Sequence, residues 1–280
     1  MSPVKTILVP VDFSNQSRFA VREAASIADR FGARLLLLHV VPKSESGFAQ
    51  FRGQESLGEQ EAYATAELSQ VAARDAPESA CEEIVVQGEV GDAVRRATEE
   101  RKVDLIVMPT SGEGPFRPFL IGSNAAKVLH DVACPVLTGA HAEEAPDACF
   151  PYYRVGCLLD LRESSEQVLR DAFDFARAYR ADLTVIHITP AFHIDDEPGA
   201  DFEISVKRSA RRRLHELMER VNVEAASVVE SGDLIAKSAE LVTAKKLDLL
   251  VIGRRESGGS DLRSKAYDLI RSSHCPVLSV

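Results

Sequence analysis

The segment ILVPVDFSNQSRFAVREAASIADRFGARLLLLHVVP, residues 7–42, decides the fold because the chain writes it a second time, as VGCLLDLRESSEQVLRDAFDFARAYRADLTVIHITP at 155–190. The two align without a gap at an offset of 148, with Asp12 on Asp160, His39 on His187 and Pro42 on Pro190. Farther along, VDLIVM (103–108) matches LDLLVI (247–252) at an offset of 144, and ACPVL (133–137) matches HCPVL (274–278) at 141. The falling offset means that the second copy is shorter by a few residues at identifiable places. The repeated unit of about 140 residues is far too long for a solenoid period and suits a duplicated domain.

Each copy opens with a short apolar strand and a helix begun at Ser. The apolar face of that helix is Ala20, Ala24, Ile27 and Phe31 in the first copy, and Val168, Ala172, Phe175 and Tyr179 in the second. Those intervals of four, three and four are helical. Ser14 suits an N-cap, and Gly32 a C-terminal stop whose place Arg180 takes in the second copy. Runs such as LLLLHVV and DLIVM lack polar alternation, as strands covered on both faces do. Strands separated by helical patterns predict right-handed βαβ units and an α/β, doubly wound parallel sheet of five strands per copy, ending at CPVLTGA and CPVLSV. Domains are expected at 1–145 and 152–280. The polar segment AHAEEAPDACFPYY (140–153) is the expected linker, and 43–63 and 191–205 are expected surface loops.

Bulk composition fits this plan and narrows the function. The 280 residues suffice for two domains with their own cores, and 45% hydrophobic with 27% charged residues is ordinary for a globular chain. A formal charge of −10 opposes binding to nucleic acid or anionic membrane, which needs clustered Lys and Arg. No apolar stretch approaches the roughly 20 residues of a membrane span, and MSPVKTILVPVD reads straight into a strand, so a cytoplasmic location is expected. The five cysteines form no C-x-x-C pair and read as reduced, mostly buried thiols.

The stretch PTSGEGPFRPFLIGS (109–123) joins the VDLIVM strand to a helix whose apolar stripe is Ala125, Val128, Leu129 and Val132. Gly122, Ser123 and Asn124 stand where first-turn N–H groups can hold an anion, and glycine lets phosphate oxygens approach the backbone. Alternatively, Gly112 and Gly114 only permit turns and Ser123 or Asn124 only caps a helix. Pro10, Val11 and Asp12 end the first strand, Val40 lies near the end of the second, and Met108 ends the VDLIVM strand. Carboxyl ends of strands at a topological switch point are where open α/β sheets bind ligands. Asp12 equally suits a turn partner for Ser14.

With these residues in place, both halves resemble universal stress protein domains in tandem. The resemblance covers nearly the entire chain and rests on ILVPVD with its helix-starting Ser, VDLIVM, the glycine-containing crossover and GSNAAKVLHDVACPVL. It implies a five-stranded parallel sheet of the adenine-nucleotide α-hydrolase-like type and, in some members, an ATP site with Mg. It also implies dimerisation through the final strands, which a tandem chain can mimic by pairing its own two domains; a homodimer is the other association. In nucleotide-binding members the crossover resembles G-x2-G-x9-G-[S/T]. Here Gly112, Gly122 and Ser123 keep that register, but Pro109 replaces the first glycine and lacks an N–H. Glu113 stands where many binding members carry a basic residue; at ~4 Å from a phosphate charge the repulsion reaches about 4 kcal/mol at an effective dielectric near 20, and most of it is removed if Glu113 points into solvent.

In the second copy, GRRESGGSDLRSKAYDL starts at Gly253 but puts Arg263 and Ser264 at the Gly122 and Ser123 places, and is three residues shorter. A triphosphate cradle is not expected there; Arg254, Arg255 and Arg263 could attract a smaller anion but read first as solvated charges. FHIDDEP, with His193, Asp195, Asp196 and Glu197, lacks a second cluster at metal-ligand spacing and reads as an acidic loop. KRSARRRLHELMERV keeps Val206, Ala210, Leu217 and Val221 on one face and reads as a covering helix, not a nucleic-acid reader. Equivalent placement of His39 and His187 suggests a shared structural role. Neither a Walker motif nor a nucleophile elbow occurs, so ATP hydrolysis is expected to be slow or incidental, with no tightly bound redox cofactor. The first copy is thus expected to bind ATP or another adenine nucleotide as a sensor or switch, with the second a degenerate structural or regulatory copy. The rival is a nucleotide-free interaction scaffold.

Overall fold

A computed structural model describes residues 4–42, 57–110, 122–139, 151–191, 199–254 and 261–280. The chain divides into two compact units, Pro3–Ala145 and Pro146–Val280. In chain order the first unit contains β1 (Thr6–Pro10), α1 (Asn15–Phe31), β2 (Arg34–Val41), α2 (Leu57–Asp75), β3 (Cys81–Gln87), α3 (Val90–Arg101), β4 (Leu105–Pro109), α4 (Ser123–Asp131) and β5 (Val136–Gly139). Its strands run in the order β3-β2-β1-β4-β5, and every pair is parallel. The second unit repeats the plan with β6 (Arg154–Leu158), α5 (Ser165–Tyr179), β7 (Asp182–Thr189), α6 (Gly199–Arg220), β8 (Ala226–Ser231), α7 (Leu234–Lys245), β9 (Leu249–Ile252), α8 (Asp261–Ser272) and β10 (Val277–Ser279). Its order, β8-β7-β6-β9-β10, is again wholly parallel. The doubly wound α/β architecture expected from the duplicated pattern is therefore present in each half.

Apolar runs without alternation become the central strands. Ile7, Leu8 and Val9 of β1, Leu35 to Leu38 of β2 and Leu105 to Val107 of β4 are all buried, each side chain contributing about 1.5–3 kcal/mol of transfer free energy. The helix α1 covers this sheet with Ala20, Ala24 and Ile27, also buried. Ser14 starts it as predicted, extended at ψ 159° and accepting the Ser17 N–H at 3.1 Å. Gly32 stops it in the left-handed region at φ 66°. In the second half Arg180 makes the same stop at φ 56° without glycine's freedom, and Ser164 makes no side-chain cap bond.

Tyr152, Phe175 and Tyr179 form a buried aromatic cluster in the second unit, with ring centroids 5.0–5.4 Å apart. The basic run of α6 lies on its exposed side while Ala210, Leu214, Leu217 and Val221 are buried, as a covering helix requires. Arg254 departs from the solvated reading: it is only 6% exposed. It lies two residues past the end of β9, and its N–H donates to the Val280 carbonyl at 2.8 Å, which draws its backbone in beside the end of β10. The side chains of Arg255 and Arg263 lie outside the described residues, as do Cys149 and the FHIDDEP cluster.

Candidate functional site

The carboxyl ends of β1 and β4 diverge where the strand order reverses, and a cavity of about 360 Å³ opens there. Pro10, Val11 and Asp12 approach it from the end of β1, Val40 from β2 and Met108 from β4. Gly122, Ser123 and Asn124 close the far wall at the start of α4. Eight of the ten residues proposed from the sequence thus face one space; Gly112 and Gly114, like Glu113, lie outside the described residues. Ser17, His39, Val90 and Thr110 also line it. Each neighbours a proposed position in sequence or on an adjacent element, a signal visible only once the strand order is known.

Helix α4 begins at Gly122, whose φ of −61° and ψ of 152° are extended, and no side chain caps it. An α-helix leaves its first N–H groups without intrahelical acceptors, and here those of the first turn start at the cavity wall. The Gly122 N–H donates to the Thr110 carbonyl at 2.8 Å, tying the two ends of the crossover together. Pro109 lies on the cavity wall too and offers it no donor.

Asp12 performs the turn role and faces the cavity at once. Its Oδ1 accepts from the Ser14 N–H at 3.1 Å and the Ser14 hydroxyl at 2.5 Å; among the described residues Oδ2 takes no hydrogen bond. Phe13, which follows it, is left-handed at φ 65°, a conformation that costs an L-residue on the order of 1–2 kcal/mol. Its ring stacks on His39, with centroids 4.3 Å apart. Nδ1 of His39 lies 2.7 Å from the Val11 carbonyl. A carbonyl cannot donate, so Nδ1 carries the proton and the neutral ring presents Nε2 as an acceptor.

The second half builds its own cavity of about 320 Å³ at the ends of β6 and β9. Asp160 occupies the Asp12 place, and its Oδ1 accepts from the Arg162 N–H at 3.0 Å and the Ser165 hydroxyl at 2.9 Å. Leu161 is left-handed at φ 60°, as Phe13 is. Nδ1 of His187 lies 2.8 Å from the Leu159 carbonyl, so the paired histidines do the same structural work, locking the end of one strand to the next. Burial, with a smaller contribution from Arg213, holds the His187 pKa below its usual value against the carbonyl bond and Asp160. The described lining differs from that of the first cavity in charge: each includes its aspartate, but the second adds Arg162 and Lys265.

Cys81, Cys157 and Cys275 are poorly suited to act as nucleophiles. Burial raises the pKa of Cys81 and Cys157 and pushes Cys275 up to about 11. Cys275 is buried, while Cys134 at the equivalent place is half-buried. Among the described residues no cluster of three His, Cys, Asp or Glu is placed to hold a metal ion, and no helix is long and apolar enough to cross a membrane.

The universal stress protein family model matches residues 3–138 and again 151–280. The chain belongs to the universal stress protein family. A family member from Thermus aquaticus is 31% identical over 134 residues, covering 48% of this chain and 96% of its own. One from Methanocaldococcus jannaschii is 30% identical over 138 residues, covering 48% and 80%. The crystal structure of a universal stress protein from Archaeoglobus fulgidus aligns over 98% of this chain and 95% of its own, with a TM-score of 0.68 at 20% identity. That structure supports the two-domain fold of this family member. The single-copy relatives explain why about half of the chain suffices for each match.

Proposed function

We propose that the first half binds ATP or another adenine nucleotide, and that this stress-family protein uses the bound nucleotide as a sensor or switch in the cytoplasm rather than as a fuel. The observation that carries this reading is the convergence of β1, β2, β4 and the uncapped start of α4 on one cavity. Its volume falls within the roughly 300–1,000 Å³ of small-molecule sites. The apolar residues Val11, Val40 and Met108 suit a flat base, and the first turn of α4 supplies donors for phosphate oxygens. Mg²⁺ would enter with the nucleotide, held by phosphate oxygens and water and by Asp12 Oδ2, a hard donor set of the kind this ion prefers. Among the described lining residues Asp12 bonds Ser14, His39 bonds the Val11 carbonyl and the Ser17 hydroxyl bonds the Ser14 carbonyl, so binding without sustained turnover is the expected behaviour.

The division into 1–145 and 152–280 belongs to the same reading, with a switch half and a partner half. Pairing of the two halves, or of two chains, is proposed through the final strands; β5 and β10 are each terminal in the strand order of their own unit.

Calorimetric titration with Mg-ATP tests the proposal. Saturable binding with one site per chain is expected, weakened about tenfold by Asp12→Ala and by Gly122→Ala, or about 1.4 kcal/mol each. Because Gly122 has an ordinary negative φ, alanine there probes the approach of the ligand and not backbone strain. Absence of binding by the native chain sinks the reading and leaves the interaction scaffold. Multiple turnover abolished by either substitution would make the protein an enzyme instead.

A further inference from the structure

We propose that Lys127 is a positioning residue of the first cavity: lying across Gly91 and paired with Asp92, it latches the start of α4 to the start of α3. The inference rests on the reading of that cavity as a ligand site. Both helices begin at its wall, α3 through Val90 and α4 through Gly122 to Ala125, and neither start carries a side-chain cap bond. Lys127 sits one turn into α4, and its Nζ stands 3.0 Å from Oδ1 of Asp92 in the first turn of α3. The buried Gly91 is what lets the lysine stem pass: a Cβ there would overlap Cδ of Lys127 and stand 2.8 Å from its Cγ and 3.0 Å from its Cε. The hydrogen bond between the two charged groups holds the Asp92 pKa below its usual value and raises that of Lys127. Asp131, the intrahelical alternative one turn on, accepts from His130 Nδ1 at 2.7 Å.

The second half is the internal contrast. Gly88 and Gly232, at φ 149° and 151°, set the register, and from them the Gly91 and Asp92 places hold Ile235 and Ala236. Counting back seven from Cys134 and Cys275, the Lys127 place holds Asp268. There α7 is capped by its own Asp233, which accepts from the Ala236 N–H at 2.9 Å, and Asp268 accepts from Arg271 of its own helix at 2.9 Å. The latch thus accompanies the half whose last helix starts at a glycine. An exposed ion pair alone contributes little; the stem packed over Gly91 adds a contact that salt does not screen. Donors held in place before a ligand arrives lower the cost of binding it.

Hydrogen exchange of the full chain, read at the first turns of α4, tests the latch. Lys127→Ala and Gly91→Ala should each speed exchange there about threefold or more and leave β1 unchanged. Alanine is the better helix former at both positions, so faster exchange reports the lost contact and not lost propensity. Lys127→Arg keeps stem and charge and should exchange as the native chain does. The three atoms nearest a Cβ at 91 all belong to Lys127, so Gly91→Ala should add nothing in the Lys127→Ala background. Calorimetric titration with Mg-ATP should show affinity about threefold weaker in either alanine variant and restored in Lys127→Arg. Unchanged α4 exchange in Lys127→Ala, failure of arginine to rescue, or native affinity in a variant whose α4 has loosened would overturn the inference. A native chain that does not bind Mg-ATP sinks the nucleotide reading instead, and the latch then stands or falls on the exchange result.

Discussion

The two halves begin from the same backbone and reach different chemistry. In both, an aspartate at the end of the first strand accepts from a neighbouring serine, a left-handed residue follows it, and a histidine bonds the same carbonyl. In the first half α4 starts at an uncapped glycine and the described wall is otherwise free of charged side chains. In the second the crossover is shorter and the wall carries Arg162 and Lys265. What has changed is confined to the crossover, the start of the last helix and one turn, while the frame that aims them is retained. A fold of this kind separates support from specificity, and duplication lets the second vary while the first is held.

Core substitutions should split the halves most. Phe175 stands at the place of Ile27 and carries the aromatic cluster. Phe175→Ala is expected to cost about 3–5 kcal/mol, and Ile27→Ala about 2–5 kcal/mol with a smaller mean. Urea unfolding followed by probes specific to each half would check this, and a larger loss at Ile27 would break the contrast. The helix stops come next. Gly32→Ala should destabilise by about 1 kcal/mol, while Arg180→Gly should stabilise by up to a similar amount, because only the latter relieves a side chain held at positive φ. Thermal unfolding of the pair reads opposite signs if the geometry is right.

The helix starts give a comparable but one-sided effect. Ser14→Ala removes a cap bond and should cost about 1 kcal/mol, whereas Ser164→Ala removes none and should be near neutral. Equal losses would show that the caps are equivalent. The smallest effect concerns protonation. The folded His187 ring resists a proton that the unfolded ring accepts near pH 6.5, so its neutral-form stabilisation is complete above that pH and is lost as pH falls below it. The second half should therefore lose stability more steeply between about pH 6.5 and 5 than a His187→Gln variant does. Parallel pH profiles for the two proteins would remove His187 from the account.

Periodicity and repetition made the fold legible. Short unbroken apolar runs between helical patterns suit strands covered on both faces, and four-three-four spacing suits one helix face. The positions of Asp12, Val40 and Met108 were legible because strand ends at a switch point must converge in this topology. Other features were hidden because side-chain burial depends on neighbours from distant segments. Glu23 is 0% exposed and Asp171, at the matching position in the second half, is 7% exposed, a burial of charged residues that helical spacing alone does not announce. Arg254 escaped for the same reason. The second cavity escaped because its lining, drawn from several elements, follows no motif.

The left-handed residue after each aspartate sets a condition for transplanting function within the molecule. Phe13 stacks on a histidine and Leu161 does not carry a ring, yet both adopt the same turn, so the turn belongs to the main-chain path and not to the stack. Asp160 is consequently already aimed as Asp12 is. Grafting residues 109–123 in place of 253–264 would therefore ask whether the crossover, on a turn already built the same way, is enough to carry over whatever ligand the first cavity is found to bind.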